Sequence, residues 1–352
     1  MPEASTPIQW RIRLPMTQRG EIPRRLLASG RSSLATVLER AIAENSSGRV
    51  LLAVSGGTHS LPLLWLGAAL AQRRPEWSVA IGHVNHGLRE TAFAEAELVR
   101  ADATASGLDC IVEEVDCSGP GNRAAIARVR REEAFARMAE ETGSEAVVTA
   151  HHADDQFETV IAAIARGAGP RGWQGMARRR RLGQKGLLLL RPFLATPGAA
   201  LEALGGRLRL HPVEDPSNRD PRRLRGRLRQ GVCRELETIF PGASRRVAAA
   251  AAQAAVAELA IDRWLDEVWG PPEVRSWSRE LLRDLPATLV AAGLRRTTIS
   301  FRPDLADRLA EARCREVAEA VGDRTRSPRR WAWPGGVVVT LTARTLSLDP
   351  RS

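Results

Sequence analysis

The chain has 352 residues, a formal net charge of +11 and four widely spaced cysteines that form no CxxC pair. Its length allows about two or three domains with buried cores, and the cysteine spacing argues against a disulfide framework and against a zinc site. No apolar run approaches the roughly 20 residues of a membrane span, so we expect no membrane association and a protein of the cytoplasm.

Residues 1–45 lack the apolar core of a secretory signal peptide. Proline, threonine, serine and arginine are scattered through the first part of this segment, which predicts a partly disordered N-terminal extension. An organelle transit peptide is a weaker alternative. We place a first domain at residues 46–217 and a second domain at residues 218–352.

From residue 48, apolar runs alternate with helical patterns. This alternation is typical of an α/β fold in which helices cover both faces of a parallel sheet. The predicted strands are residues 50–54, 79–84, 110–115 and 146–150, and the predicted helices are residues 61–74, 93–106 and 123–142. Ligands of such sheets bind beyond the carboxyl ends of the strands, so we expect the functional residues in the loops that follow each strand.

The first strand breaks into the sequence SGGTHS, which comprises Ser55, Gly56, Gly57, Thr58, His59 and Ser60. Glycines allow a tight turn with closely approaching backbone N–H groups, and the helix predicted to follow would direct its positive end at an anion. The spacing matches neither the GxxxxGK(S/T) phosphate loop nor the GxGxxG dinucleotide motif. An anion-binding turn and an ordinary strand-turn-helix corner both fit this segment when it is considered alone.

Two further loops at the same edge carry basic side chains. HVNHGLR, residues 83–89, follows the second strand, and His83 is interpreted either as a ligand contact or as a partly buried turn residue. Arg128 lies in the helix that follows the third strand's loop. We predict that Arg128 contacts phosphate, although an exposed helical arginine is more often only solvated surface.

The fourth strand leads into HHADDQFET, residues 151–159, which is predicted to begin a helix at its first histidine. His151 and Asp155 would then share one face and Asp154 and Glu158 another, because residues four apart are neighbours on a helix. Carboxylate oxygens suit Mg²⁺ better than Zn²⁺, so Asp154 and Glu158 are candidate ligands of a magnesium ion shared with ATP. Alternatively, Asp154 and Asp155 only complement the positive end of the helix.

Positive charge is concentrated in residues 171–230, which hold fifteen Arg or Lys against four Asp or Glu. Such a stripe is typical of nucleic-acid binding, although a solvated charge run or the codon usage of a GC-rich genome would also supply arginines. The candidate contacts to RNA phosphates are Arg178, Arg179 and Arg180 in a glycine-rich segment (166–181) predicted as a mobile loop, and Arg222, Arg223, Arg225, Arg227 and Arg229 in a predicted helix.

The rest of the chain is predicted mostly helical. Residues 187–190 predict an edge strand that leaves the sheet, and helices are predicted over residues 247–268, 279–294 and 303–321. The tail alternates around Pro334, Gly335 and Gly336, which predicts a two-stranded hairpin or a small sheet.

The motifs, taken in order, resemble those of the tRNA(Ile)-lysidine synthase family of PP-loop ATP pyrophosphatases. They are SGGTHS (55–60), HVNHGLR (83–89), HHADDQFET (151–159), RGAGPRGWQGM (166–176), RPF (191–193) and EDPSN (214–218). The resemblance implies a Rossmann-like PP-loop domain, similar to the adenine nucleotide alpha hydrolases, followed by a helical tRNA-binding domain with a small terminal β element. It also implies the conversion of the wobble cytidine (position 34) of tRNA(Ile) with a CAU anticodon into lysidine, with ATP, Mg²⁺ and free L-lysine, and it allows a homodimer.

By the same resemblance, residues 55–60 and His83 would bind ATP, Asp155 would hold or deprotonate the lysine amine, and Arg128 would face the phosphates. The chain departs from the family pattern where SGGxDS has an aspartate, since His59 stands there. Ala124, Glu132 and Gly226 are further departures from a glutamate, a tyrosine and an asparagine. The alternative is therefore a paralogue that binds tRNA but is weak or inactive as a catalyst, or that modifies another tRNA base.

Overall fold

A computed structural model describes residues 33–85, 92–118, 123–183, 186–213, 223–271, 273–305, 309–323 and 327–350. These residues divide into two compact units. The first lies within Met1–Glu158 and Met176–Ala248, and the second lies within Thr159–Gly175 and Ala249–Ser352.

The first unit is built on a six-stranded sheet. Its strands are β1 (Arg49–Ala53), β2 (Ser78–Asn85), β3 (Cys110–Glu114), β4 (Ala146–Thr149), β5 (Arg179–Leu182) and β6 (Leu187–Leu190). They lie in the order β3-β2-β1-β4-β6-β5, and every pairing is parallel except that of β5 with β6. The predicted α/β class and the four predicted parallel strands are confirmed.

Seven helices precede, separate or follow these strands along the described chain. They are α1 (Ser33–Ala43), α2 (Ser60–Arg73), α3 (Ala92–Ser106), α4 (Arg123–Glu141), α5 (Ala153–Ala165), α6 (Pro170–Trp173) and α7 (Gly198–Arg207). The last part of α5 and all of α6 fall in the second unit. Helix α1 lies inside the segment predicted as an extension, and Leu34, Leu38 and Ile42 from this helix are buried in the core.

Apolar side chains cover both faces of the sheet. Along β1, Val50 and Leu52 enter one buried cluster, while Leu51 enters a second cluster with Phe135 and Met138 of α4. Successive side chains of a strand point to opposite faces, so a run that is apolar at every position produces a sheet buried on both sides. This burial holds the strand ends, and the loops that follow them, in place.

Two sequence predictions near the edge of the sheet are wrong. The strand at residues 187–190 is not an edge strand that leaves the sheet, because β6 lies between β4 and β5. Residues 179–181, the end of the segment predicted as a mobile loop, form with Leu182 the edge strand β5, in which Arg179 lies opposite Leu190. Only Leu182 of these four residues is buried, so the segment carries too little alternation to indicate a strand, and charged side chains are common on edges.

The helix predicted to begin at His151 begins at Ala153 instead. The N–H of His152 donates to Asp155 Oδ2 at 3.1 Å, and the N–H of Asp154 donates to His152 Nδ1 at 3.3 Å. This reciprocal pattern is a capping arrangement in which side chains satisfy the first N–H groups of a helix. His151 therefore precedes the helix and does not share a helical face with Asp155.

Further helices follow the arginine-rich segment and continue into the second unit. They are α8 (Leu224–Arg227), a π-helical turn (Leu228–Val232), α9 (Cys233–Ile239), α10 (Ala243–Val268), α11 (Arg279–Arg283), α12 (Ala287–Phe301), a 3-10 turn (Pro303–Leu305) and α13 (Glu311–Gly322). The helix predicted over residues 279–294 is thus two helices separated near Pro286, since proline cannot donate the next helical hydrogen bond. No helix in the described ranges is both long and apolar enough to cross a membrane.

The predicted small sheet of the tail is confirmed, with more strands than expected. Its strands are β7 (Ser276–Ser278), β8 (Arg329–Trp333), β9 (Val337–Leu341) and β10 (Thr345–Pro350), in the antiparallel order β7-β10-β9-β8. Gly335, at a φ of 72°, forms the turn between β8 and β9. The second unit has its own core, in which the Trp269 and Trp277 rings lie 4.3 Å apart between centroids.

Candidate active site at the carboxyl edge of the sheet

The turn after β1 is closed by its own serines. The N–H of Ser55 donates to Ser60 Oγ at 3.1 Å, and Ser60 Oγ donates to the Gly57 carbonyl at 3.2 Å. Gly56 adopts a φ of 83°, a left-handed conformation that favours glycine. Within the described part of the chain, the N–H groups of Gly57, Thr58 and His59 make no hydrogen bond. They stand just before helix α2 and can therefore donate to phosphate oxygens.

His59 joins this turn to two other segments. Its Nε2 lies 3.1 Å from Glu202 Oε1 on α7, and its ring lies 4.1 Å from the His152 ring, measured between centroids. Burial lowers the pKa of His59, and the positive charge of His152 lowers it further, against the opposing carboxylates of Asp155 and Glu202. A neutral imidazole therefore occupies this position at neutral pH.

The pKa of His152 is shifted in the opposite direction. Burial disfavours its protonation, but the hydrogen bond with Asp154 and the charges of Asp155 and Asp154 outweigh burial and raise its pKa. Its Nδ1 lies 3.4 Å from Asp154 Oδ2 and its Nε2 lies 3.3 Å from Asp155 Oδ2. Asp154 Oδ2 also accepts the N–H of Gly198 at 3.1 Å, which satisfies the first turn of α7. The alternative interpretation of the sequence had Asp154 complement the positive end of its own helix. In the structure Asp154 caps a helix, but this helix is the neighbouring α7.

Asp155 and Glu158 share one arginine. Arg229 Nη2 donates to Asp155 Oδ1 at 2.9 Å, and its Nε donates to Glu158 Oε1. Burial opposes ionisation of Asp155, yet the positive charges of His152 and the other basic neighbours lower its pKa, so Asp155 is an anion at neutral pH. Arg229 was expected to face RNA phosphates, whereas its guanidinium binds these two carboxylates.

An arginine cluster lies beside this corner and consists of Arg128, Arg131, Arg180, Arg191 and Arg225. Burial lowers the pKa of Arg131, and the positive charges of Arg128, Arg225 and Arg180 lower it further. Burial and the charges of neighbouring arginines likewise lower the pKa of Arg191 to about 10. Burial lowers the pKa of His151 to about 3, with Arg191, Arg131 and Arg225 adding to the effect and Asp155 opposing it. The site therefore has an anionic corner at Asp155 and a cationic region suited to phosphate.

His83 is hydrogen-bonded to the backbone just before the glycine turn. It is 3% exposed, and its Nδ1 donates to the Val54 carbonyl at 2.8 Å. Burial lowers its pKa, so the ring stays neutral and holds the end of β1. The structure thus favours the interpretation of His83 as a locally hydrogen-bonded residue. Residues 86–89, 214–218 and Arg222, which also figured in the predictions, lie outside the described residues.

The predicted magnesium ligands do not form a metal cluster. Among the described residues, no group of three or more His, Cys, Asp or Glu side chains has the spacing for a metal ion. Glu158 is 2% exposed and forms an ion pair with Arg229. Asp154 is 42% exposed. Burial opposes ionisation of Asp154, but its hydrogen bonds outweigh burial and lower its pKa. Because Mg²⁺ is commonly held by one or two carboxylates plus substrate phosphates, Asp154 alone fits such a role.

The remaining predicted RNA contacts lie on the surface. Arg178, Arg179, Arg223, Arg225 and Arg227 are exposed. Arg179 Nη1 donates to Asn45 Oδ1 at 3.1 Å, which ties this arginine to the loop that follows α1. Exposed guanidinium groups in this number can contact a polyanion, and their role as tRNA contacts stays a prediction.

Three residues of this region were not predicted from the sequence as site residues: Glu202, Arg131 and Arg191. Glu202 lies 143 positions from His59 in an alanine-rich helix that carries no local sign of function. Arg191 was part of a quoted motif, and the signal that could have identified it was its position directly after β6, at the edge where ligands bind.

Comparisons with known proteins define the class of the first unit. Residues 31–236 match the family model described as PP-loop domain, which defines the class of the first unit as an ATP-binding PP-loop domain. The described fold also resembles the U34-tRNA thiolase from Methanococcus maripaludis, with a TM-score of 0.50 and 17% identity over 58% of this chain and 70% of that one. At that identity the likeness concerns the fold alone.

Sequence relatives specify the family within this class. The tRNA(Ile)-lysidine synthase of Novosphingobium aromaticivorans is 38% identical over 78% of this chain and 85% of its own length. That of Methylobacterium sp. is 35% identical over 88% and 90%, and that of Alkalilimnicola ehrlichii is 44% identical over 59% and 46%. The chain belongs to the tRNA(Ile)-lysidine synthase family, whose members are ATP-dependent ligases of the PP-loop class. The resemblance inferred from the motifs is confirmed.

Proposed function

We propose that this chain joins free L-lysine to C2 of the wobble cytidine of tRNA(Ile) with a CAU anticodon. The supporting observation is the contact between His59 and His152, which brings the glycine turn and the acidic corner of Asp155 together at one edge of the sheet. A turn that receives phosphate and a carboxylate that receives an amine are both required by a ligation that uses ATP and lysine. The reaction takes place in the cytoplasm, where all three substrates are present.

The ligation proceeds in two balanced steps. The cytosine O2 attacks the α-phosphorus of ATP, the bond to the bridging oxygen breaks, and pyrophosphate leaves. The lysine amine then attacks C2, the C2–O2 bond breaks, AMP leaves with O2, and the amine loses a proton. Preorganised donors aimed at the developing charge lower such barriers. The N–H groups of Gly57, Thr58 and His59, which no described residue accepts from, are suited to hold the leaving pyrophosphate.

Two charged groups divide the remaining tasks. Asp155 is ionised and lies at the end of the β4 loop, where it can hold the lysine amine. Arg128, 63% exposed at its side chain, can reach phosphate oxygens without losing packing. A magnesium ion bound at Asp154 would spread the charge of the phosphates. The exposed arginines at positions 178, 179, 223, 225 and 227 would hold the tRNA backbone, while the target base is splayed out of its stack to react.

A second function is favoured by one observation, the imidazole of His59 at the position where the family motif has an aspartate. A neutral ring offers no carboxylate oxygen to Mg²⁺ or to the triphosphate. In this alternative the chain binds tRNA through its arginines and is weak or inactive as a catalyst, or modifies another tRNA base.

The two functions are separated by a lysine-incorporation assay. Purified protein is mixed with ATP, Mg²⁺, radiolabelled lysine and a tRNA(Ile) transcript with a CAU anticodon, and both acid-insoluble label and AMP are measured. We expect stoichiometric lysine on the transcript, none on a matched transcript with uridine at position 34, and loss of incorporation in Asp155→Asn. Protein that binds tRNA and ATP but transfers no lysine would refute the ligase, and recovery of transfer in His59→Asp would assign the defect to the histidine.

A further inference from the structure

Glu132 sits within the arginine cluster as its internal anion. Its Oε1 accepts a hydrogen bond from Arg128 Nε at 3.2 Å and another from Arg180 Nη2. These two arginines come from different elements, α4 and β5, so one carboxylate joins a helix to the edge strand. The Glu132 side chain is 25% exposed, which leaves it accessible to an incoming ligand.

The cluster has more positive charge and more hydrogen-bond donors than its described partners use. Arg191 is 4% exposed, and its Nη1 donates to the Ala177 carbonyl at 2.8 Å. The buried Nε atoms of Arg191 and Arg180 have no hydrogen-bond partner among the described residues. No hydrogen bond or ion pair of Arg131 occurs within the same part of the chain either. Unpaired buried donors are costly, and a phosphate group would satisfy them.

We propose that Glu132 is an internal counter-ion that occupies the phosphate-binding face of the arginine cluster and is displaced when a phosphate-bearing substrate enters. Its carboxylate accepts from Arg128 and Arg180 as a phosphate oxygen would, and it keeps the like-charged side chains together in the free protein. Entry of phosphate transfers these donors to the ligand and releases Glu132 toward solvent. The free energy needed to displace Glu132 from Arg128 and Arg180 is subtracted from the binding free energy of the phosphate ligand, so Glu132 lowers the affinity for that ligand.

The ligand class is a phosphate oxyanion, from either the ATP triphosphate or the RNA backbone. This inference rests on the proposed function only for the identity of those two substrates. Glu132 opposes both through charge, because a carboxylate and a phosphate compete for the same guanidinium groups.

The test compares Glu132→Gln with the matched control Glu133→Gln. Both remove one negative charge from helix α4, but Glu133 pairs with Arg130 at 3.0 Å on the exposed surface. Dissociation constants are measured for the wild type and both variants by calorimetry, with tripolyphosphate, with ATP and with a single-stranded RNA oligonucleotide of unrelated sequence. Unfolding curves establish that each variant is folded.

We expect Glu132→Gln to bind at least one phosphate ligand about fivefold more tightly at low salt, with a steeper loss of affinity as salt rises. Glu133→Gln should stay within about twofold of the wild type, since exposed pairs contribute little. Tighter binding of tripolyphosphate and ATP assigns the displaced site to the triphosphate, and tighter binding of the oligonucleotide alone assigns it to RNA.

Weaker or unchanged binding of all three ligands by Glu132→Gln would refute the proposal, since Glu132 would then position the arginines and not compete with the ligand. Equal gains in Glu132→Gln and Glu133→Gln would refute it as well, because they would report net charge alone. None of these measurements uses lysine or tRNA(Ile), so failure of the ligase assay leaves their interpretation unchanged.

Discussion

The imidazole rings of His59 and His152 lie 4.1 Å apart between centroids, and their pKa values move in opposite directions. Burial and the charge of His152 lower the pKa of His59, while Asp154 and Asp155 overcome burial and raise that of His152. His152 is therefore the more basic of the two rings, and the ring in the glycine turn stays neutral at neutral pH.

This coupling predicts the response of His59 to a change at its neighbour. In His152→Gln the adjacent positive charge is gone, so the pKa of His59 should rise while burial still acts on it. The measurement is an NMR titration of the His59 ring protons in the two proteins. A His59 pKa that stays the same or falls would show that burial alone sets it, and His211→Gln, at an exposed position, is the control for nonspecific changes.

His151 should make the protein less stable in acid. Its pKa is lowered from an ordinary 6.5 to about 3 in the folded protein, so the unfolded chain binds the proton more readily between these values. The stabilising effect is complete above about pH 6.5 and is lost as pH falls toward 3. We expect His151→Asn, whose amide can still bond to Thr149 in place of the ring Nδ1, to lose less stability than the wild type between pH 7 and pH 4.5, measured by urea unfolding. Equal losses would contradict this.

Much of the sheet could be predicted because its signals are local. An uninterrupted apolar run such as β1, followed at once by two glycines, indicates both a buried strand and a sharp turn from adjacent residues. The four parallel strands and the edge that holds the site followed from such runs. Strand β5 could not be predicted in this way, because Arg179, Arg180 and Arg181 form a strand only by pairing with the backbone of β6.

The partners inside the site were less predictable, since they depend on tertiary packing. Helix α7 brings Glu202 to His59, and Gly198 allows this approach: a Cβ there would lie 2.7 Å from Asp154 Oδ2. Likewise, the sequence shows Arg229 in a row of arginines, and nothing local distinguishes the one that binds Asp155 and Glu158 from those that face solvent. Charge composition predicts a basic surface but not which cations are neutralised within the fold.

Two helical glycines should respond in opposite ways to alanine. A Cβ at Gly67 of α2 would lie 2.2 Å from Leu52 Cδ1, whereas a Cβ at Gly206 of α7 would meet nothing within 4 Å. Leu52 is fully buried and cannot move aside, so Gly67→Ala should destabilise by about 1–3 kcal/mol through overpacking. Gly206→Ala should stabilise by up to about 1 kcal/mol through helix propensity. Thermal unfolding of both variants checks the pair, and stabilisation by Gly67→Ala would contradict the close packing of α2 on β1.

Arg229 should matter for stability as well as for the reaction, because it neutralises the buried carboxylate of Glu158. Arg229→Met leaves that charge without its main partner, and we expect the free energy of unfolding to fall by about 2–3 kcal/mol. This loss lies at or below the usual range for a broken buried ion pair, because the Arg229 side chain is 39% exposed. Glu158→Gln removes the charge, so the double variant should recover about 1–2 kcal/mol relative to the sum of the single changes. Urea unfolding of the four proteins at pH 7 measures this coupling energy. Additive effects would mean that Arg229 acts through Asp155 alone, since Asp155 is the other carboxylate to which its guanidinium donates.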